Sequence, residues 1–238
     1  SNEATTRVWK YRKVSAKGKT QYQLVLEKTP FYAESGGQVG DTGTLQFPDT
    51  ALQVTDTKKE NDLFIHFVDQ LASDMHGEVV AAIDRSSRRK IQRHHTATHL
   101  LQAALQKVLG KHIAQKGSLN NPDYLRFDFS HFAKVSDEEI ASVEKIVNQK
   151  IRQNIPVVTK VMPIDEARAM GAMALFGEKY GDRVRVVIVD PNYSIELCGG
   201  THVANTGELG IFKIISESAI AAGVRRIEAL AGCKAEAY

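Results

Sequence analysis

The chain has 238 residues, enough to bury a substantial core in one large domain or in two smaller ones packed together, and two is the expectation here. Hydrophobic residues at 42% and charged residues at 25% match ordinary globular usage, which excludes a disordered chain or a fibrous repeat, and no apolar run approaches membrane-spanning length. A formal net charge of +3 and a pI near 8.7 exclude a uniformly basic surface, so any nucleic-acid contact has to be local.

The first residues, Ser1-Asn2-Glu3, lack both an initiating Met and a basic-then-apolar signal segment, and read as an artificial end ahead of an excised fragment. From Tyr22 to Val80 short apolar stretches alternate with turn residues at 21–26, 43–47, 52–56, 63–68 and 77–82, the pattern of a small antiparallel barrel. After Asp84, a residue suited to an N-cap, the period becomes helical and holds to Gly110, with Ala97, Leu101, Ala104, Leu105 and Val108 on one apolar face. A strand follows at 124–129, and Ser136-Asp-Glu-Glu139 is a capping box that opens a helix to about Gln153. Apolar or alternating runs at 157–161, 184–190, 193–197, 211–216 and 224–231 are further strands, with a short helix at 164–170. The fold class expected is therefore α+β: a barrel with a Gly-rich loop over residues 3–83, then a mixed α/β sheet packed on two helices over 84–238.

Two cysteines, Cys198 and Cys233, are too few for a disulfide framework and point to a reducing cytoplasm. Cys198 has a second context. In His95-Thr-Ala-Thr-His99 two histidines four apart on a helix turn their rings to one side, and in Cys198-Gly-Gly-Thr-His202 a thiolate and an imidazole flank a tight Gly-Gly turn. Three imidazoles and one thiolate suit Zn²⁺, which accepts both donor types in tetrahedral geometry. His94, His112 and His131 lack such spacing, and Cys233 is expected as a buried or half-buried small hydrophobe. Thr96 occupies the place of the general-base Glu in a metalloprotease His-Glu-x-x-His helix, so a less demanding reaction than peptide hydrolysis is indicated.

These motifs do not stand alone. Pro30-Phe-Tyr-Ala-Glu-Ser-Gly-Gly-Gln-Val-Gly-Asp-Thr-Gly43, His95-Thr-Ala-Thr-His-Leu-Leu101, Gln115-Lys-Gly-Ser118, Leu125-Arg-Phe-Asp-Phe-Ser-His131, Ala174-Leu-Phe-Gly-Glu-Lys-Tyr-Gly181 and Glu196-Leu-Cys-Gly-Gly-Thr-His202 follow one another in an order that resembles the alanyl-tRNA synthetase family from about Leu24 to Gly232. The resemblance implies a translation-factor-like barrel followed by a zinc-bearing editing domain. That domain would deacylate tRNA(Ala) mischarged with serine or glycine and work within the rest of a parent synthetase. It implies His95, His99, Cys198 and His202 as ligands, and Thr98, Gln115 and Ser118 as polar groups that face the substrate side chain or hold the site. His94 departs from the pattern, which has Asn there.

Two features keep alternative readings. The Gly-rich run from Ser35 to Gly43 has no Walker A or dinucleotide spacing; it is either a hairpin with tight turns or, by resemblance, a loop where Gly36, Gly37 and Gln38 approach the tRNA end. Arg85, Arg88, Arg89, Lys90 and Arg93 crowd a helix start, where cations oppose the macrodipole, and are either tRNA phosphate contacts, with Arg88 as the candidate, or a solvated face. A freestanding trans-editing protein and a tRNA-binding module with structural zinc are the rival functions; the synthetase-type loop Glu34-Ser-Gly-Gly-Gln-Val39 argues against the first.

Overall fold

The computed structural model describes residues 1–175 and 180–238, which leaves positions 176–179 of the Ala174 to Gly181 motif outside the described residues. The chain divides into two compact units, one of residues 1–35 and 39–89 and the other of residues 36–38 and 90–238.

The first unit is a closed antiparallel barrel. Its strands are β1 (Glu3–Ala16), β2 (Lys19–Leu26), β3 (Gly43–Gln46), β4 (Ala51–Glu60), β5 (Leu63–Val68) and β6 (Glu78–Ile83), in the order β1-β2-β5-β4-β3-β6 with β1 pairing back onto β6. Alternation builds the interior: Leu24 and Leu26 of β2, Leu52 and Val54 of β4, and Val79, Ala81 and Ile83 of β6 point inward with Leu45, Phe47 and Val68 into one core. Strand β1 is absent from the sequence reading because most of its residues, among them Arg7, Trp9, Lys10, Tyr11, Arg12 and Lys13, are polar or exposed, and its inward Thr6 and Val8 are too few to give an apolar period. Backbone pairing with β2 and β6 sustains it instead.

Helix α1 (Arg85–Leu109) starts where expected, with Asp84 Oδ1 accepting the Ser87 amide at 3.0 Å. In the second unit it joins α2 (Asp137–Arg152), whose Ser136 and Glu139 form the predicted capping box. Both helices share a core with a four-stranded antiparallel sheet made of β7 (Gln115–Asn120), β8 (Leu125–Ser130), β12 (Phe212–Ala221) and β13 (Val224–Ala231), in the order β12-β13-β8-β7. Leu101, Leu105, Phe127, Phe129, Val143, Val147 and Ile227 are fully buried in it. A three-stranded antiparallel sheet of β9 (Val157–Pro163), β10 (Arg183–Val189) and β11 (Ser194–Leu197) carries a smaller core with α3 (Ile164–Ala169). Val184, Val186 and Ile188 of β10 serve the small core while Val189 serves the large one. The α+β class is thus the one expected, with the strands of the second unit sorted into two sheets. Cys233, expected to be at least half buried, is exposed, because α4 (Cys233–Glu236) buries none of its residues.

His66 sits at 0% exposure inside the barrel, with Nδ1 donating to the Leu24 carbonyl at 3.0 Å and Nε2 2.7 Å from Thr29 Oγ1. Burial pushes its pKa down from the ordinary 6.5 to about 4, against a smaller upward pull from the Leu24 carbonyl. The unfolded chain therefore takes up a proton before the folded one does. The stabilisation is fully present above pH 6.5 and is lost as pH falls toward 4, a loss of at most about 3 kcal/mol. Urea unfolding followed through Trp9, the single tryptophan of the chain and part of β1, should show this fall, and a His66→Gln chain should lack it. An identical acid dependence in both chains would count against His66 as its source.

Candidate metal centre and adjoining cavity

Helix α1 delivers His95 and His99 one turn apart, and the turn after β11 delivers Cys198 and His202. Their four donor atoms all lie within 4.8 Å of one another. A tetrahedral ion with metal–sulfur and metal–nitrogen bonds of about 2.3 and 2.05 Å sets those donors about 3.5 Å apart. Cys198 Sγ is 3.5 Å from His95 Nε2 and 3.3 Å from His202 Nε2, so the donor set fits such an ion in both spacing and chemistry.

Each imidazole turns its other nitrogen onto a protein group. His95 Nδ1 is 2.9 Å from Gln38 Oε1 and His202 Nδ1 is 3.0 Å from Thr96 Oγ1, both hydrogen-bonded, while His99 Nδ1 lies 2.6 Å from Glu196 Oε2 as an ion-pair contact without hydrogen-bond alignment. The Gln38 carbonyl oxygen, which can only accept, fixes the tautomer of His95, and the three contacts together hold the ring planes and leave every Nε2 for the shared centre. The turn is equally constrained. Arg185 Nη1 donates to the carbonyls of Cys198 and Gly200 at 2.7 and 2.6 Å, and the Gly200 amide donates to Cys198 Sγ at 3.3 Å. A Cβ on Gly200 would lie 2.0 Å from His95 Cε1, so only glycine lets the turn close on the ring.

Electrostatics follow from crowding. Burial opposes ionisation of the Cys198 thiol, but His95 and hydrogen bonds from His202, His95 and His99 outweigh it and hold the group well below the ordinary thiol range, as a thiolate. Burial and the neighbouring His95 and His99 push His202 down to about 3, so it is neutral. His99 is raised to about 10, since Glu196 and Cys198 overcome a large opposing burial effect.

A cavity of about 320 Å³ adjoins the cluster, lined by His95, His99 and Cys198 together with Thr98, Gln115 and Ser118. Thr98 is 3% exposed, and its hydroxyl is 2.7 Å from Asn120 Oδ1 and 3.0 Å from the His94 carbonyl, so its one proton is used and it can only accept from a ligand. Ser118 accepts from Asn120 Nδ2 at 3.3 Å and keeps its own proton. Gln115 opens β7, a strand whose polar Gln-Lys-Gly-Ser-Leu-Asn sequence carries no alternation and was not legible as a strand. Gly36 also lines the cavity, whereas Gly37 packs on β7, where a Cβ would stand 2.7 Å from the Ser118 carbonyl.

Gln38 and Arg88, read from sequence as tRNA contacts, have other partners. Gln38 is completely buried against His95 and Thr201. Arg88 belongs to the barrel unit, where its guanidinium grips the carboxylate of Asp41 through Nε at 2.9 and 3.1 Å and through Nη2, which also reaches the Pro30 carbonyl at 3.3 Å. Its charge is therefore already compensated by Asp41, which is 2% exposed. His94 lies outside the donor set, with Nδ1 2.7 Å from the Asn121 carbonyl, and His112 and His131 bond each other at 2.8 Å. Thr96, Glu196 and Asn120 were missed as site residues; the first two lie inside the quoted motifs, but nothing in a linear pattern assigns each to a ring nitrogen.

Comparison with known proteins places these features in a family. Residues 184–228 match the model described as the threonyl and alanyl tRNA synthetase second additional domain, and residues 4–87 match that of class II (A) tRNA synthetases. An alanine-tRNA ligase of Cytophaga hutchinsonii is 57% identical over 99% of this chain, one of Bacteroides thetaiotaomicron 56% over 96%, and one of Salinibacter ruber 55% over 89%. The chain belongs to the alanyl-tRNA synthetase family. It spans only about a quarter of those ligases, 27%, 26% and 22% of their respective lengths. Within this alanyl-tRNA synthetase segment, both donor pairs and the cavity fall in one compact unit.

The cluster can hold one metal ion per chain. Cys198→Ala should weaken its binding by more than about 100-fold, beyond the range typical of losing a residue that only orients a ligand. Since ligation needs neutral imidazoles, and Glu196 and Cys198 hold His99 in its protonated form, binding near neutral pH should release protons. Calorimetry in buffers of different ionisation enthalpy reads their number, and unchanged affinity in the variant or the absence of proton release would contradict the assignment.

Proposed function

We propose that this chain is the editing region of an alanyl-tRNA synthetase and hydrolyses the ester of tRNA(Ala) mischarged with serine or glycine, with Zn²⁺ held by His95, His99, Cys198 and His202. The observation that carries the reading is the convergence of those four donors beside a cavity also lined by Thr98, Gln115 and Ser118. A bound Zn²⁺ supplies a Lewis acid able to polarise an ester carbonyl or to raise the acidity of water.

The residues themselves argue for an activated substrate. Glu196 is the only carboxylate lining the cavity among the described residues, and it is engaged with His99 Nδ1. Thr96, at the position of a metalloprotease base, holds His202 and receives the Val203 amide at 3.3 Å. Among the described residues of the cavity wall no carboxylate is left to act as a general base, which suits an aminoacyl ester better than a peptide. Lys111, also on the cavity wall, offers a cation to the phosphate of an RNA terminus.

An editor must destroy seryl-tRNA and spare alanyl-tRNA. A pocket that admits serine also admits alanine, so discrimination has to come from polar groups that bond the hydroxyl. Thr98 can accept that hydroxyl's proton and Gln115 can either donate or accept, so each meets the requirement. A site built to bond the hydroxyl discriminates by about 10⁴ or more, against roughly 10–200-fold for an apolar pocket.

A purely structural metal in a tRNA-binding module is the second reading, favoured by the complete set of four protein donors. Incubation of seryl-tRNA with the chain, with and without a chelator, separates the two: chelator-sensitive deacylation is expected, and no turnover with full zinc occupancy would leave the structural reading. Thr98→Val and Gln115→Leu should keep the metal yet lower the ratio of seryl- to alanyl-tRNA hydrolysis by at least about 10-fold. An unchanged ratio in both chains would mean that other groups read the hydroxyl.

A further inference from the structure

Gln38 is 0% exposed although it comes from a Gly-rich loop. Its Oε1 stands 2.9 Å from His95 Nδ1 and 2.8 Å from the Thr201 amide, two N–H groups that fill both lone pairs of one carbonyl oxygen. Its Nε2 donates to Thr201 Oγ1 at 2.9 Å. The backbone beneath it is anchored as well: the Asn120 amide donates to the Gly37 carbonyl at 2.7 Å, and Gln38 bridges Asn120 in parallel register. Gly37, at φ +82° and packed against the Ser118 carbonyl, lets the loop lie this close to β7.

From this geometry we infer that Gln38 is a positioning residue of the metal centre, and that the Gly-rich loop exists in part to deliver it. One amide side chain ties a ligand on α1 to the turn that bears the other pair. By accepting from His95 Nδ1 it fixes the proton there and turns the Nε2 lone pair toward the shared centre. By holding the amide and hydroxyl of Thr201 it sets the turn between Cys198 and His202. A carboxamide suits both tasks, since it accepts two N–H groups and still has a donor for the hydroxyl, without placing a further charge beside the Cys198 thiolate. With Oε1 saturated and the side chain buried, no acceptor is left for an RNA ligand.

The inference rests on the four-donor centre binding an ion, and the two fail separately. The test measures Co²⁺ and Zn²⁺ affinity by competition with a chromophoric chelator, together with the visible spectrum of the Co²⁺ form, in the whole 238-residue chain. Gln38→Leu should lose about 10–100-fold in affinity and shift the Co²⁺ bands, whereas Gln38→Glu, which keeps the acceptor for both N–H groups but loses the donor to Thr201 and adds a charge, should lose less than Gln38→Leu. If Gln38→Leu does not fold, Thr201→Val removes the same anchor from the other side and should weaken binding in the same direction. Wild-type affinity and spectrum in either Gln38→Leu or Thr201→Val overturns the positioning role, and a fall only in salt-sensitive RNA binding does so in favour of an RNA contact. A parent chain that binds no ion overturns both readings.

Discussion

Three imidazoles gathered within a few ångströms in a buried space repel one another once charged and are disordered unless something holds each ring plane. The arrangement stands because every Nδ1 is claimed by a different group, the amide of Gln38, the hydroxyl of Thr96 and the carboxylate of Glu196. Those three come from three separate stretches of chain. The centre therefore depends on the packing of α1, the loop at 36–38 and β11 as one body, and its histidines are only as well placed as that packing makes them. The unequal basicity of the three partners also leaves the imidazoles inequivalent, with His99 backed by a carboxylate and His202 by a neutral hydroxyl.

The cavity shares this framework. Thr98 lies between the two ligands of α1 and bonds Asn120, the last residue of β7, and Ser118 on the same strand takes the other end of that amide. The polar wall and the donor cluster thus rest on the same helix and strand. Arg185 performs the matching task from β10, whose opposite end is buried in both hydrophobic cores of the unit, so the turn at Cys198 to Gly200 is referred to the rigid part of the small sheet.

Wherever one chemical period dominated, the fold was legible in the sequence. The barrel strands from β2 onward alternate, α1 repeats its apolar residues every three or four positions, and the capping box at Ser136 announces α2. The two strands that escaped, β1 and β7, lack an apolar period for opposite reasons: β1 turns only Thr6 and Val8 toward the barrel core and is otherwise largely exposed, while β7 spends its side chains on a polar cavity wall. The four residues of the donor cluster were equally legible, since His-x-x-x-His and Cys-Gly-Gly-Thr-His are local patterns. Partners of the ring nitrogens were not, because Gln38 meets His95 and Thr96 meets His202 only through tertiary packing. The same limit hid the pairing of Arg88 with Asp41, a residue distant in sequence.

Twelve consecutive residues of α1, His94 to Leu105, are buried on every side of the helix, for about three turns. A helix of this kind has no spare face. An exposed position such as Ser86 in its first turn can vary, but the insertion or deletion of a single residue between His95 and His99 would rotate everything beyond it by about 100° relative to His95. That would take His99 out of the shared centre and set Leu100 or Leu101 against the polar wall in one step. Length is therefore under tighter constraint than composition along this segment, and variation in the chain has to enter by replacement rather than by slippage.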